Sequence, residues 1–275
     1  MSAPRTGAAV LLLDAGNSRI KWALLRGAYR RGDRFAASGA LDLSGLAGRG
    51  AVLRRLIDSI GPLAGVAACN VAGTAVERRL RSIVRAAGLP SPRFMRSAHA
   101  AAGVRNAYAQ PWRLGADRWA SLVGARAEHP RRALCLVAVG TAMTIDLIDG
   151  RGRHRGGSII PGPKLMVDSL LDRTAGIRRR AGGRSASQAM PATRTTIFAR
   201  DTRGAVVAGA TNAAAALVHE AMRSARLLLG RTPLLILSGG AADAVARQLR
   251  VPHRREDDLA LRGLAVLHSE QAQFE

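Results

Sequence analysis

Aromatic residues are scarce in this chain: three tryptophans, two tyrosines and four phenylalanines make up 3% of it. A core must therefore be built mainly from Ala, Val, Leu and Ile. Aromatic platforms for stacked bases are also lacking. Lysine is nearly absent, since only Lys21 and Lys164 occur among 42 basic residues and the rest are arginine. Cysteine is limited to Cys69 and Cys135, each in an apolar segment (VAACNV and ALCLVAV). That placement suits buried small hydrophobes and argues against a disulfide framework. No apolar run approaches the roughly 18 residues of a membrane span. The short run ending at Asp14 lacks the cleavage site of a secretory signal, so the cytoplasm is the expected location. The six histidines are dispersed without metal-type spacing, and no Gly-x-x-x-x-Gly-Lys-Ser/Thr phosphate loop occurs.

What is present is a globular composition: 275 residues, 48% hydrophobic and 22% charged, enough for one large domain or two lobes. The formal net charge is +23. The arginines are scattered, and short runs such as Arg178-Arg179-Arg180 carry no interleaved aromatics. The charge is therefore read as solvated arginine faces whose field favours an anionic ligand such as ATP, and not as a nucleic-acid interface.

The apolar pattern gives a strand running into Asp14-Ala15-Gly16-Asn17-Ser18, then a second strand from Ile20. Residues 51–60 and 75–87 read as amphipathic helices, with a buried strand from Gly65 between them. A second hairpin begins at Ala133, turns at Gly140-Thr141, leaves through Met143 to Ile148 and ends in an Asp149-Gly150 turn. The stretch from Arg178 to Ser187 reads as a mobile Gly-, Arg- and Ser-rich loop. Residues 203–229 are helical, and a strand, a Gly239-Gly240 turn and a helix follow. A strand–polar loop–strand unit thus opens each half. The expected organisation is an N-terminal lobe of residues 1–128 and a C-terminal lobe of residues 129–275, in an α/β fold around a central cleft.

Glycine lets a backbone approach a phosphate, and neighbouring hydroxyls add donors. Gly16 to Ser18, Gly140 to Ala142 and Gly239-Gly240 each follow an apolar strand and fit that use. Asp14, at the end of a strand, is either a helix or turn cap or a ligand for a phosphate-bound Mg²⁺. Asp117, beside Arg118, is either an ion-pair partner or helix cap, or a general base. Lys21 is either an exposed strand residue or a phosphate contact.

Taken in order, DAGNSRIKWALL from Asp14, YAQPWRLGADRWASLVGA from Tyr108, VGTAMTIDL from Val139, GGSIIPG from Gly156 and LSGGAADAV from Leu237 resemble the type III pantothenate kinases over roughly residues 9–265. The resemblance implies two ribonuclease-H-like lobes of the actin-like ATPase and sugar kinase class around a nucleotide cleft. It also implies a homodimer, and transfer of phosphate from ATP to pantothenate in the first step of coenzyme A synthesis. By residue, it implies an ATP-phosphate and Mg²⁺ loop at Asp14, Ala15, Gly16, Asn17, Ser18, Arg19, Ile20 and Lys21. It implies further phosphate contacts at Gly140 and Thr141, and an adenosine side at Gly239 and Gly240. The pantothenate site would be Tyr108, Gly115, Ala116, Asp117 and Arg118, with Asp117 as proton acceptor. Thr202 corresponds to a late substrate-contacting Thr, with Thr195 and Thr196 as nearby competitors. One departure stands out: where many members carry an Asp for a monovalent cation (K⁺ or NH₄⁺), this chain has Ala138. Competing readings are a kinase of the same fold acting on a sugar or another acid, and a non-catalytic nucleic-acid-binding or regulatory protein on a decayed kinase fold.

Overall fold

The computed structural model describes residues 9–46, 50–182 and 196–270. The chain forms two compact units. One comprises the residues up to 131, residues 152–154 and those from 258 on; the other comprises residues 132–151 and 155–257.

In the first unit, strands β1 (Ala9–Ala15), β2 (Arg19–Leu25), β3 (Ser38–Asp42), β4 (Leu63–Asn70) and β5 (Arg93–Phe94) form one sheet in the order β3-β2-β1-β4-β5. β1 is antiparallel to β2 and parallel to β4. A parallel strand covered on both faces reads as an unbroken apolar run, which explains AVLLL. Period-two alternation then sorts the residues. Leu11, Leu13, Ala15, Val66 and Ala68 join one cluster with Leu53 and Ile57 of α1 (Ala51–Ile60) and with Leu80, Ile83 and Val84 of α2 (Thr74–Ala86). Asp14 and Cys69 are register partners and share the opposite face with Leu12 and Ala67. A small hairpin of β6 (Ala100–Ala101) and β7 (Val104–Arg105) precedes α3 (Ala116–Glu128).

In the second unit, β8 (Leu134–Val139), β9 (Ala142–Ile148), β10 (His154–Pro161), β11 (Leu234–Ser238) and β12 (Arg254–Arg255) form a sheet in the order β10-β9-β8-β11-β12. The order repeats that of the first sheet, and the central strand is again antiparallel to the second and parallel to the fourth. Helices α4 (Pro163–Arg173), α5 (Ala175–Arg180), the long α6 (Thr202–Leu229) and α7 (Ala242–Ala246) complete the unit. Cys135, Val137, Val139 and Met143 pack with Ala214, Ala215 and Val218 of α6, so Met143 is core. Both cysteines are buried and unbridged.

Two readings of the sequence need correction. Arg178, Arg179 and Arg180 do not belong to a loop. They close α5, where the last turn of a helix suits basic side chains; residues 183–187 of that stretch, like Thr195, lie outside the described residues. The chain also ends differently from a cut at residue 128, because its last helix, α8 (Leu259–Ser269), packs in the first unit against α3. Glycine makes that crossing possible. A Cβ on Gly263 would lie 1.8 Å from the Ala120 carbonyl oxygen, and one on Gly124 would lie 2.2 Å from that of Leu259.

Candidate functional site

The hairpin loop between β1 and β2 closes with a hydrogen bond from Gly16 N to Arg19 O (3.0 Å), leaving Asn17, Ser18 and Arg19 exposed. Ala15 and Ile20, the last residues on either side, are fully buried and anchor the loop in the core. Asp14 does not cap a helix. It sits within β1, partly exposed, and its Oδ1 accepts from the Cys69 thiol at 3.1 Å. Burial raises its carboxyl from 3.8 to about 6. The Cys69 hydrogen bond and the Lys21 charge oppose that rise, while the charges of Asp117 and Asp258 add to it. Lys21 is half-buried and ion-paired to Asp258 at 3.1 Å. Asp258 and Cys69 are contributors to this cluster that the sequence motifs did not single out.

Gly115 precedes α3, and Asp117 lies in the first turn of that helix, where the helix dipole favours a carboxylate. Asp117 Oδ1 accepts from the Arg118 backbone N at 2.8 Å. A Cβ on Gly115 would lie 2.8 Å from that same oxygen, so the Gly-x-Asp spacing makes room for the carboxylate. Ala116 is the first residue of the helix. The buried Arg118 donates from Nη1 to the Tyr108 hydroxyl at 3.1 Å, and its guanidinium lies 5.9 Å from the Tyr108 ring centroid. The Asn106 carboxamide accepts from Tyr108 N at 3.0 Å and donates to the carbonyls of Ala98 and Pro111, fixing the Tyr108 turn. The first unit therefore gathers Asp14, Lys21, Tyr108, Gly115, Asp117 and Arg118.

The second unit has its own loop of the same kind. Gly140 N donates to Ala142 O at 2.9 Å, and Thr141 is exposed. Gly162, ending the GGSIIPG motif, is pressed against this loop: its N donates to Thr141 O at 2.8 Å, and a Cβ there would lie 2.1 Å from Gly140 O. Ala138 stands two residues before Gly140, as Asp14 stands two before Gly16, and offers no carboxylate. Gly239 and Gly240 differ from each other. Gly239 has φ +95° and a Cβ on it would meet the Val139 carbonyl at 2.4 Å, whereas a Cβ on Gly240 would meet open space. Arg255 donates to Gly239 O at 2.7 Å and pairs with Asp243 and Asp257, so the turn is braced. Thr202 opens α6 behind Asp201, whose carboxylate caps the helix by accepting from Gly204 N at 2.8 Å. Thr202 lines a cavity of about 800 Å³ with Met166, Leu170, Ile177 and Val206.

Two units with the same strand order, each opening on a hairpin with a glycine loop, define the ribonuclease-H-like architecture of the actin-like ATPases and sugar kinases. Solved structures agree at the level of fold. A Campylobacter jejuni protein described as a conserved Baf family transcriptional activator superposes with TM-score 0.58 at 17% identity, covering 95% of this chain and 98% of its own. The Clostridium difficile activator of 2-hydroxyisocaproyl-CoA dehydratase, with bound ADPNP, gives 0.51 at 13%, covering 96% and 95%. The type III pantothenate kinase family model matches residues 10–224. Type III pantothenate kinases of Burkholderia thailandensis and Aromatoleum aromaticum are 39% and 37% identical over 94% and 96% of this chain, and over 96% and 99% of their own lengths. The chain belongs to the type III pantothenate kinase family.

Proposed function

We infer that the protein is an ATP-dependent transferase, a pantothenate kinase that forms 4′-phosphopantothenate at the entry to coenzyme A synthesis. The observation that carries the residue assignment is the grouping of Asp117, Arg118 and Tyr108 beside the Asp14 loop in one unit. A general base must reach a hydroxyl proton, and Asp117 sits at a helix start that keeps a carboxylate ready to accept one. Arg118 and Tyr108 would orient pantothenate, with Gly115 and Ala116 lining the approach. The Gly16–Ser18 loop and the Gly140–Thr141 loop would each contact ATP phosphate, with the Gly16 and Gly140 N–H groups closing the loops and not themselves donating to it. Arg19, Ile20 and Lys21 would continue the first of these contacts, and Gly240 would face the adenosine side. In-line transfer of this kind depends on positioning and charge neutralisation, with no covalent enzyme intermediate.

The residues present fit Mg²⁺. Among the described residues no three His, Cys, Asp or Glu side chains are arranged to hold a metal ion. Mg²⁺ takes one or two carboxylates and completes its shell with phosphate and water. Asp14, raised mainly by burial and further by the charges of Asp117 and Asp258, is a site that a cation would relieve. Bound there, Mg²⁺ would neutralise phosphate charge. The family's monovalent cation, K⁺ or NH₄⁺, would have no side-chain oxygen at Ala138, so either its requirement or the way it is held differs here.

Thr202 is assigned to the substrate as the family's late Thr. The chain is proposed to work in the cytoplasm as a homodimer. The exposed Phe198 and Ile197, near the apolar Met166–Leu170 cavity, support a second copy as the cover for that surface. No described helix is long and apolar enough to cross a membrane. Nothing in the site favours the nucleic-acid reading.

The deciding experiment incubates protein, ATP, Mg²⁺ and pantothenate with and without K⁺ and reads the product by mass spectrometry. A product heavier than pantothenate by one phosphoryl group supports the reading. Its absence from folded protein, or equal turnover of a sugar, overturns it.

A further inference from the structure

The dispersed histidines gave no sign of a role in the sequence, yet one of them is built into the acceptor side. His154 is buried at 3% exposure, and its ring lies nearly parallel to that of Tyr108, with centroids 6.1 Å apart and an interplanar angle of 12°. Offset parallel rings at that separation attract.

A specific backbone device delivers His154 there. After β9 the chain returns to the first unit for residues 152–154 alone. Gly152 O accepts from Arg105 N at 2.9 Å, and Arg153 forms an isolated parallel bridge with Arg105. The approach is so close that a Cβ on Gly152, at φ +84°, would lie 2.0 Å from Gly103 O. Gly103, at φ +72°, makes the β6–β7 turn that receives it. The same β7 leads through Asn106 into the Tyr108 turn. One short tongue therefore docks on the strand that leads to Tyr108 and places an imidazole against its ring.

Tyr108 is thus held by three groups: Asn106 on its backbone N–H, Arg118 on its hydroxyl, and His154 against its ring. We propose that His154 is a positioning residue for the pantothenate site, fixing the ring plane of Tyr108 and so the direction in which the phenol and Arg118 present themselves to the acceptor. The inference rests on the assignment of Tyr108 to that site. A flat, rigid partner is what the geometry uses. An alkyl side chain could fill the volume without fixing the plane.

The test measures KM for pantothenate, KM for ATP and kcat in His154→Leu, His154→Phe, Tyr108→Ala and the double variant His154→Leu/Tyr108→Ala, each checked for folding by its thermal transition. His154→Leu should raise KM for pantothenate about 3- to 10-fold, the range of an aromatic pair, with KM for ATP within twofold of wild type. His154→Phe should restore it to within about twofold. The double variant should be no worse than Tyr108→Ala alone. An unchanged pantothenate KM in His154→Leu, while Tyr108→Ala raises it, overturns the role of His154 and leaves the site standing. Unchanged values in Tyr108→Ala would instead remove the assignment on which the inference rests. If His154→Leu does not fold, His154→Gln is read the same way. A Phe variant as impaired as Leu would also sink the proposal.

Discussion

The thiol of Cys69 donates to the carboxylate of Asp14 across 3.1 Å, and the two residues are direct partners in the parallel β1–β4 register. The pairing is therefore set by the sheet and needs no loop to hold it. Burial, with the nearby Asp14 charge, pushes the Cys69 thiol well above its ordinary value, so it stays protonated as a donor. Cys69→Ala should move the acid limb of the kcat/KM profile to higher pH, since the Asp14 carboxylate loses a stabilising donor. Cys69→Ser should bring it back. An acid limb unmoved in the Ala variant would show that the thiol does not act on Asp14.

Asp14 also links stability to pH. Its carboxyl is raised from 3.8 to about 6, so between these values the folded protein binds more protons than the unfolded chain. Stability from this group is then greatest at low pH and falls as pH rises through about 6. Asp14→Asn, which carries no charge, should have a higher melting temperature than wild type at pH 8. The gain should shrink towards zero as pH approaches 4. Calorimetry across that range checks it, and a gain that grew on acidification would reverse the sign assigned here.

Asp117→Asn should lower kcat about 10²- to 10⁴-fold, the usual contribution of a positioned base. ATP binding, read by a nucleotide titration, should stay within a few-fold of wild type. Near-normal turnover would take the proton-accepting role away from Asp117.

The α3–α8 crossing predicts a stability defect remote from the chemistry. Gly263→Ala puts a methyl 1.8 Å from the Ala120 carbonyl, and that oxygen cannot move without the helix. A loss of about 2–3 kcal/mol is expected in denaturant titrations, at the upper end of overpacking effects. A change below about 0.5 kcal/mol would mean that the helices separate easily.

What the sequence displayed and what it hid follow one physical distinction. Elements with a clear period were readable: β1 as an unbroken apolar run, α1 and α2 with one apolar face, and α6 as a long Ala-rich stretch. The glycine loops at Gly16 and Gly140 were readable because they interrupt apolar strands. α3 and α8 were not, since α3 is buried over most of its turns and α8 over much of its length, which leaves little periodicity. The site divides the same way. Asp14, Asp117 and Arg118 stand in local motifs. Cys69 reaches Asp14 across 55 positions of sequence, Asp258 reaches Lys21 across 237 and His154 reaches Tyr108 across 46, and only the folded chain brings such partners together.

The return of α8 to the first unit has a consequence for how the chain is made. Synthesis finishes residues 132–257, and with them the whole second unit, before α8 leaves the ribosome. The unit that begins the chain is therefore the last to be completed, with the face of α3 that receives Gly263 uncovered until then. A stop codon just ahead of Leu259 would spare the later-encoded unit and cripple the earlier one.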